Sequence, residues 1–364
     1  MKQPAKILFV SSAHDYRQGR KANMHFLAEA LSADDNVRFA SVGYSWLTTL
    51  KSHNPRKRVE NRANLAETVN GIECYLWRSM LHPVNLRKEW LAPFSRAALS
   101  VFVRSTPPIL RDWFRDSDVI VFECGLCAAL ARVAAQENPA ARIIYNASDS
   151  LETIGADPIL MDDLEELAGA FHAARIPSME LAEELSFFRD LRFLPHAVDE
   201  RVTQYPGDSP YSDGHNVVSA GSMLFDAGAV EIFANQFPDV TFHMIGTGVR
   251  ERTQLPNLIW YDEMPFEETL RYLWHADASI APYRDENAPR YLKDTSMKLL
   301  QSDQMGIASV CPDFATDETK VLRFGYDRQD LESMKNAMKR ALETPRQPAT
   351  TRRSWRDVAE AMIA

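Results

Sequence analysis

Residues 295–306 read TSMKLLQSDQMG. Thr295 or Ser296 suits a helix N-cap, and Gly306 suits the left-handed residue that closes a helix. Between them, Lys298 falls in the first turn. A cation there is mildly unfavourable, because the helix dipole already makes that end positive. It becomes useful once an anion binds, since dipole and ammonium then act together. Met297, Lys298 and Gln301 are spaced to share one face. The pattern predicts an anion-binding helix start; the alternative is a solvated surface lysine. A second candidate is Asp149, the last residue of ARIIYNASD (141–149). A carboxylate at the end of a strand can serve as a general base. The same residue opens Asp149-Ser-Leu-Glu152, a variant capping box, so an N-cap role is equally open.

Two other motifs are weaker. Cys124 and Cys127 form a C-x-x-C pair, with Cys74 and Cys311 elsewhere. No second pair stands at zinc spacing, so the four read as small packing residues of a reducing cytoplasm. GTGVRE (246–251) has Glu251 where a dinucleotide fingerprint needs its third glycine, and it suits a tight turn as well.

These residues need a scaffold, and the hydrophobic pattern describes one. Strands are predicted at 5–12, 37–43, 118–124 and 141–149, with helices at 23–32, 125–137 and 163–175. An extended crossing segment follows at 193–199. The alternation then restarts: strands 216–221, 240–246, 257–264, 278–283 and 308–312, helices 228–236, 266–275 and 296–305. The last segment, SWRDVAEAMIA, is a further short helix. Such alternation means a mostly parallel sheet covered on both faces, here twice. Two doubly wound domains would place a ligand at the carboxyl ends of their strands, in a cleft between them.

The 364 residues are 45% hydrophobic and 25% charged, which is globular composition for roughly two domains. No apolar run approaches the ~18 residues that cross a bilayer, and the N-terminus has no signal-peptide pattern. The net charge of −9 is uneven. Residues 51–115 hold twelve Lys/Arg against five acids, so the remainder is strongly acidic. Trp77, Trp90, Phe94, Leu99, Val101, Phe102, Val103, Ile109, Leu110, Trp113 and Phe114 are interleaved with those cations. That mixture suits a segment lying on an anionic membrane surface, or amphipathic helices packed on their own domain. The acidic total and the lack of a reader motif argue against nucleic acid.

The chain resembles a known family through AHDYRQGRKAN (13–23), YNASDS (145–150), LPHAVD (194–199), SAGSMLFD (219–226), YDEMPFEET (261–269), APYRDE (281–286) and SMKLLQSDQMG (296–306). It is similar to the GumK family, inverting GT-B glucuronosyltransferases of xanthan-type exopolysaccharide assembly. Retaining GT-B enzymes carry an E-x7-E motif for the ribose; Gln301 stands at the second acidic position here, which argues against retention. The resemblance implies an α/β GT-B fold of two Rossmann-like domains. Residues 1–197, with a returning helix at about 352–364, would bind the acceptor and the membrane. Residues 198–351 would bind the nucleotide sugar. The implied reaction moves glucuronate from UDP-glucuronate to a mannose of a polyprenyl-diphosphate-linked oligosaccharide, without metal or cofactor, on the cytoplasmic face of the inner membrane.

The resemblance also assigns residues. It makes Asp149 the catalytic base. It puts Met297 and Lys298 at the ribose and phosphates with Gln301 nearby, and adds Met223, Glu263 and Tyr283 to the donor pocket. Asp199 and Asp226 are second-rank, because both suit turns. The sugar carboxylate calls for a guanidinium. Arg17, Arg20 and Lys21 cluster after the first strand; Arg20 is favoured and Arg290 is the rival. Rival functions are transfer of another UDP-hexose and a regulator without turnover; Asp149 and Lys298 speak against the regulator.

Overall fold

Short segments with an apolar run such as ILFV in KILFVS and VIVF in VIVFE cannot face water on either side, and both become central strands of a parallel sheet. The computed structural model describes residues 3–12, 14–18, 21–46, 55–83, 85, 88–204, 206–285, 288–350 and 353–364. The chain divides into two units: Met1–His196 with Trp355–Ala364, and Ala197–Ser354.

Unit 1 contains strands β1 (Lys6–Ser11), β2 (Asn36–Ser45), β3 (Ala66–Val69), β4 (Ile72–Ser79), β5 (Val119–Glu123), β6 (Arg142–Asn146), β7 (Ala173–Ile176) and β8 (Leu191–Phe193). They lie in the order β3-β4-β2-β1-β5-β6-β7-β8. All pairs are parallel except β3 with β4, a hairpin turning at Asn70-Gly71 with φ of 50° and 81°. The order reverses between β1 and β5, where Ile7 pairs with Val119 and Val10 with Phe122. The helices used below are α1 (Asn23–Leu31), α2 (Ala92–Arg104), α3 (Pro108–Arg115), α4 (Ala131–Glu137) and α5 (Ile159–Glu166).

Unit 2 contains β9 (His215–Ala220), β10 (Val240–Ile245), β11 (Leu258–Tyr261), β12 (Ala278–Ile280), β13 (Ser309–Pro312) and β14 (Arg323–Tyr326). Their order is β11-β10-β9-β12-β13-β14, all parallel, with the reversal between β9 and β12. Around them lie α6 (Ala227–Gln236), α7 (Phe266–His275), α8 (Met297–Met305) and α9 (Leu331–Glu343). Val217, Phe233, Phe242, Val310, Met334 and Met338 form the core between sheet and helices. The final helix, α10 (Trp355–Ile363), belongs to unit 1 and packs on α1, with the Phe26 and Trp355 rings stacked 5.5 Å apart.

Two predicted helices are corrected. The helix expected over 163–175 ends at Glu166; a one-turn 3-10 segment, Ala168–Ala170, follows, and AARI becomes the buried strand β7. Alanine-rich sequence favours helix locally, but pairing of Ala173 with Ile144 decides this segment. The helix expected over 125–137 begins as a 3-10 segment, Leu126–Leu130, and turns α-helical only at Ala131. Ser12 Oγ accepts from Cys127 N–H at 2.7 Å and pins that first turn. Gly125 precedes it at φ 109°, where a Cβ would crowd Ser12 Oγ at 3.1 Å.

The basic window divides. Trp77, Leu99, Phe102, Val103, Leu110, Trp113 and Phe114 are buried inside unit 1, whereas Trp90, Phe94 and Val101 are exposed. Most of its aromatics therefore serve their own domain. Among the described residues, no helix is long and apolar enough to cross a membrane. All four cysteines are buried free thiols.

Candidate active site

In unit 2 the predicted residues collect along one edge of the sheet. Three strands of one half of the sheet, β11, β9 and β12, end in segments that carry them. Met223 follows β9, Glu263 follows β11, and Tyr283 follows β12. Gly246, at the end of β10 with φ 57°, lies against Glu263: a Cβ there would sit 3.4 Å from the Glu263 Cα. GTG is thus a tight turn, and no helix opens on it. Phe225 and Tyr283 form a backbone bridge at the reversal of strand order.

The helix start matches the sequence reading. Ser296 is the N-cap of α8 and its Oγ accepts from Leu299 N–H at 3.3 Å. Gly306 closes the helix at φ 71°, where a Cβ would collide with Gln347 O at 1.9 Å. Lys298 does not wave into solvent. Its ammonium donates to Gly221 O at 2.9 Å and stands 5.3 Å from the Tyr283 ring and 5.6 Å from the Phe225 ring. Tyr283 is almost fully buried, and its hydroxyl meets Ser296 Oγ at 2.5 Å. One aromatic side chain therefore supports both the cap and the cation. Met297, Lys298 and Gln301 are all half-buried on the same helix, and Lys298 and Gln301 line a small recess with Ser219, Ser279 and Ser302. Ser219 Oγ there is buried and has no hydrogen-bond partner among the described residues. A buried orphan hydroxyl beside a positioned ammonium is suited to a ligand that both accepts and donates hydrogen bonds.

Met223 is exposed, as is Glu263. Asp199 and Asp226 are engaged as caps. Asp199 Oδ1 accepts from Arg201 N–H at 2.9 Å and its carboxylate pairs with the Arg201 guanidinium. Asp226 Oδ1 accepts from Ala229 N–H at 2.9 Å while Oδ2 pairs with Arg328.

In unit 1, Asp149 lies three residues beyond β6, half-buried. It caps no helix: residues 151–155 are turns, and α5 begins only at Ile159. Ser150 Oγ accepts from Glu152 N–H at 3.2 Å within that turn. The capping-box alternative thus does not hold. Burial raises the Cys124 thiol well above its ordinary range, and the Asp149 charge beside it adds to that shift.

Two residues missed by sequence reasoning shape this edge. Arg175, at β7, is fully buried. Its Nε donates to Leu194 O at 2.8 Å, Nη1 to Asn146 Oδ1 at 2.9 Å, and Nη2 meets His196 Nδ1 at 3.1 Å. None of those partners is a carboxylate, and burial lowers the guanidinium to about 9. Asn146 passes the network on, donating to Ser148 Oγ at 3.0 Å, next to Asp149. The second is Glu123, buried at the end of β5, whose Oε2 accepts from Ser11 Oγ at 2.5 Å. A polar residue at the close of an apolar strand was the available signal for Glu123.

The basic cluster after β1 is largely committed. Arg17 is buried and pairs with Asp15 and Glu67; Lys21 pairs with Glu29 at 2.7 Å. Arg290 is exposed, and Arg20 lies outside the described residues.

Residues 10–177 match the family described as Glucuronosyltransferase GumK, N-terminal domain. The UDP-glucuronate:glycolipid 2-beta-glucuronosyltransferase of Xanthomonas campestris pv. campestris is 38% identical over 355 residues, which is 97% of this chain and 88% of that one. The chain belongs to the GumK glucuronosyltransferase family. Solved structures show the same fold at far lower identity. The trehalose-6-phosphate synthase OtsA superposes with a TM-score of 0.61 at 13% identity, covering 99% of this chain and 94% of its own. The α,α-trehalose 6-phosphate synthase of Burkholderia multivorans gives 0.60 at 11%, over 99% and 93%. The GumK-family chain is thus a two-sheet α/β protein of the GT-B class. The family's N-terminal match includes Asp149 and Arg175, and the longer relative extends the similarity over nearly the whole chain.

Proposed function

We propose that the protein transfers glucuronate from UDP-glucuronate, with inversion, to a mannose of a polyprenyl-diphosphate-linked oligosaccharide in xanthan-type exopolysaccharide assembly. The observation that carries this is the Lys298 ammonium, fixed in the first turn of α8 at the carboxyl edge of a sheet whose strand order reverses beside it. An ammonium and a helix N-terminus together neutralise a diphosphate, so departure of UDP needs no metal in this reading.

The reaction is a single displacement. The acceptor hydroxyl oxygen attacks the anomeric carbon, Asp149 takes its proton, and the bond electrons leave with the β-phosphate of UDP. Lys298 holds the charge that develops on that phosphate. Met297 and Gln301 flank the ribose, and Met223, Glu263 and Tyr283 complete the donor pocket. The segment that carries Asp149 is braced at Ser148 by the Arg175–Asn146–Ser148 hydrogen bonds. The sugar carboxylate falls to Arg20 or Arg290, since Arg17 and Lys21 already have acids of their own.

The enzyme works on the cytoplasmic face of the inner membrane, as a peripheral protein. The exposed Trp90, Phe94 and Val101 within the basic window 51–115 support that placement.

The test is turnover with UDP-glucuronate and a mannose-terminated, lipid-diphosphate acceptor. A β-linked glucuronide from the α-linked donor is expected, and its loss in Asp149→Asn with the fold intact. An α-linked product, or undiminished turnover in that variant, contradicts the mechanism.

A further inference from the structure

On unit 1, α2, α3, α4 and α5 enclose a groove of about 380 Å³. Its floor is apolar, with Leu99, Val103, Val133 and Ile159, all buried. Its walls carry four guanidiniums: Arg96, Arg104, Arg111 and Arg132. None of them belongs to the site described above.

Three of the four are partly balanced. Arg96 pairs with Asp162 at 2.7 Å, Arg111 with Glu137 at 2.9 Å, and Arg132 with Asp163. The balance is incomplete in two places. Arg132 Nε is buried with no hydrogen-bond partner, although the same guanidinium binds Asp163 through Nη2. Arg104 makes no ion pair or hydrogen bond among the described residues. Among the described residues Arg104 is thus the groove guanidinium with no carboxylate partner, above an apolar floor. A monoanionic phosphodiester matches that charge, whereas a diphosphate would leave the groove with an excess of negative charge.

The neighbouring surface indicates what such a phosphate would be attached to. Phe94 and Val101, seven residues apart on α2, share one face and are exposed, and Val101 lies one turn before Arg104. Trp90, just ahead of the helix, is also exposed. An apolar stripe beside an arginine groove suits a molecule with an anionic head and an apolar tail.

We infer that this groove is a discrete site for one anionic phospholipid, its phosphodiester held by Arg104 and Arg132 and its acyl chains lying along Val101, Phe94 and Trp90. The inference rests on the membrane placement proposed above for the source of the lipid, and adds to it a stoichiometric site in place of a diffuse charged face.

The test uses dihexanoyl-phosphatidylglycerol below its micellar concentration, titrated by calorimetry into the full-length protein. One lipid should bind per chain. Arg104→Ala should weaken binding about tenfold, the loss of one charge-assisted phosphate contact. Lys88→Ala removes the same charge from the same basic window outside the groove and should leave binding unchanged. Equal losses in both variants, or no loss in Arg104→Ala, would overturn the site. So would binding of inorganic phosphate as tight as the lipid, or tighter binding of farnesyl diphosphate. UDP affinity measured on the same samples separates this result from the enzymatic reading: Arg104→Ala should leave it unaltered. Vesicle flotation with phosphatidylglycerol then reports membrane placement independently, so a failed groove and a failed membrane reading give different outcomes.

Discussion

The two units solve one physical problem in opposite ways. Each places a cation near the carboxyl edge of a parallel sheet. In unit 2 the cation is Lys298, half-buried, held by one carbonyl and two aromatic faces, and added to a helix N-terminus that is already positive. In unit 1 it is Arg175, fully buried, with every hydrogen bond going to neutral groups. Lys298 lines a small recess beside Gln301 and Ser219. Arg175 uses its donors to brace the segment that carries Asp149, and its charge reaches no solvent. One unit thus holds its cation half-buried at a helix start, and the other buries its cation fully among neutral partners. In the proposed displacement, the first arrangement would face the leaving group and the second would support the base.

The comparison breaks most visibly at Asp149. Asp149→Asn should lower turnover by roughly 10²–10⁴, the ordinary worth of a positioned base, while UDP affinity stays within twofold. Steady-state rates with calorimetry on the same protein check both halves. Arg175→Met should come next. It strands Asn146 Oδ1 and Leu194 O in the interior, at a cost of about 3 kcal/mol or more in denaturant unfolding. If bracing is its role, kcat should fall with little change in donor KM, and Arg175→Lys should recover part of the stability.

Lys298→Ala should weaken UDP by about ten- to a hundredfold, since a charge-assisted hydrogen bond to phosphate is lost. Unit 1 should be untouched, with unfolding of Arg175-dependent structure unchanged.

Acid should weaken both units. His25 in unit 1 accepts from Ala22 N–H through Nδ1, and His243 in unit 2 lies between Tyr261 and Asn216. Burial lowers each imidazole from its ordinary value to about 4. The unfolded chain therefore takes up a proton near pH 6.5 that the native state refuses. Stability present above that pH is lost progressively from 6.5 down to about 4, by up to about 3 kcal/mol for His25. Denaturant midpoints measured across that range should fall, and His25→Gln should flatten part of the slope. The smallest effect is Ser296→Ala, which removes the α8 cap at about 1 kcal/mol and loosens the Tyr283 contact.

The chain itself announces unit 2 more openly than unit 1. Ser296, Lys298 and Gly306 follow local rules of helix ends, and local rules survive folding, so that helix was read within a residue. Asp149 was ambiguous because Ser-Leu-Glu after it imitates a capping box; only the turn at 151–155 decides against the helix. β7 was read as helix because alanine dominates AGAFHAARI, and its strand state comes from Ile144 and Asp190, both distant in sequence. Arg175 was invisible for the same reason. Nothing local distinguishes a buried arginine from a surface one. The Asn70-Gly71 hairpin was legible and overlooked: a two-residue Asn-Gly turn between alternating strands is a strong local signal. In the basic window, helical spacing alone could not sort the buried Trp113 from the exposed Trp90.

The most direct test of the central claim is calorimetry of UDP-glucuronate, UDP-glucose and UDP on the wild type and Lys298→Ala. Binding of all three, UDP-glucuronate the tightest, with a common loss in the variant, is the predicted result. No binding of UDP, or no change on losing Lys298, would contradict it.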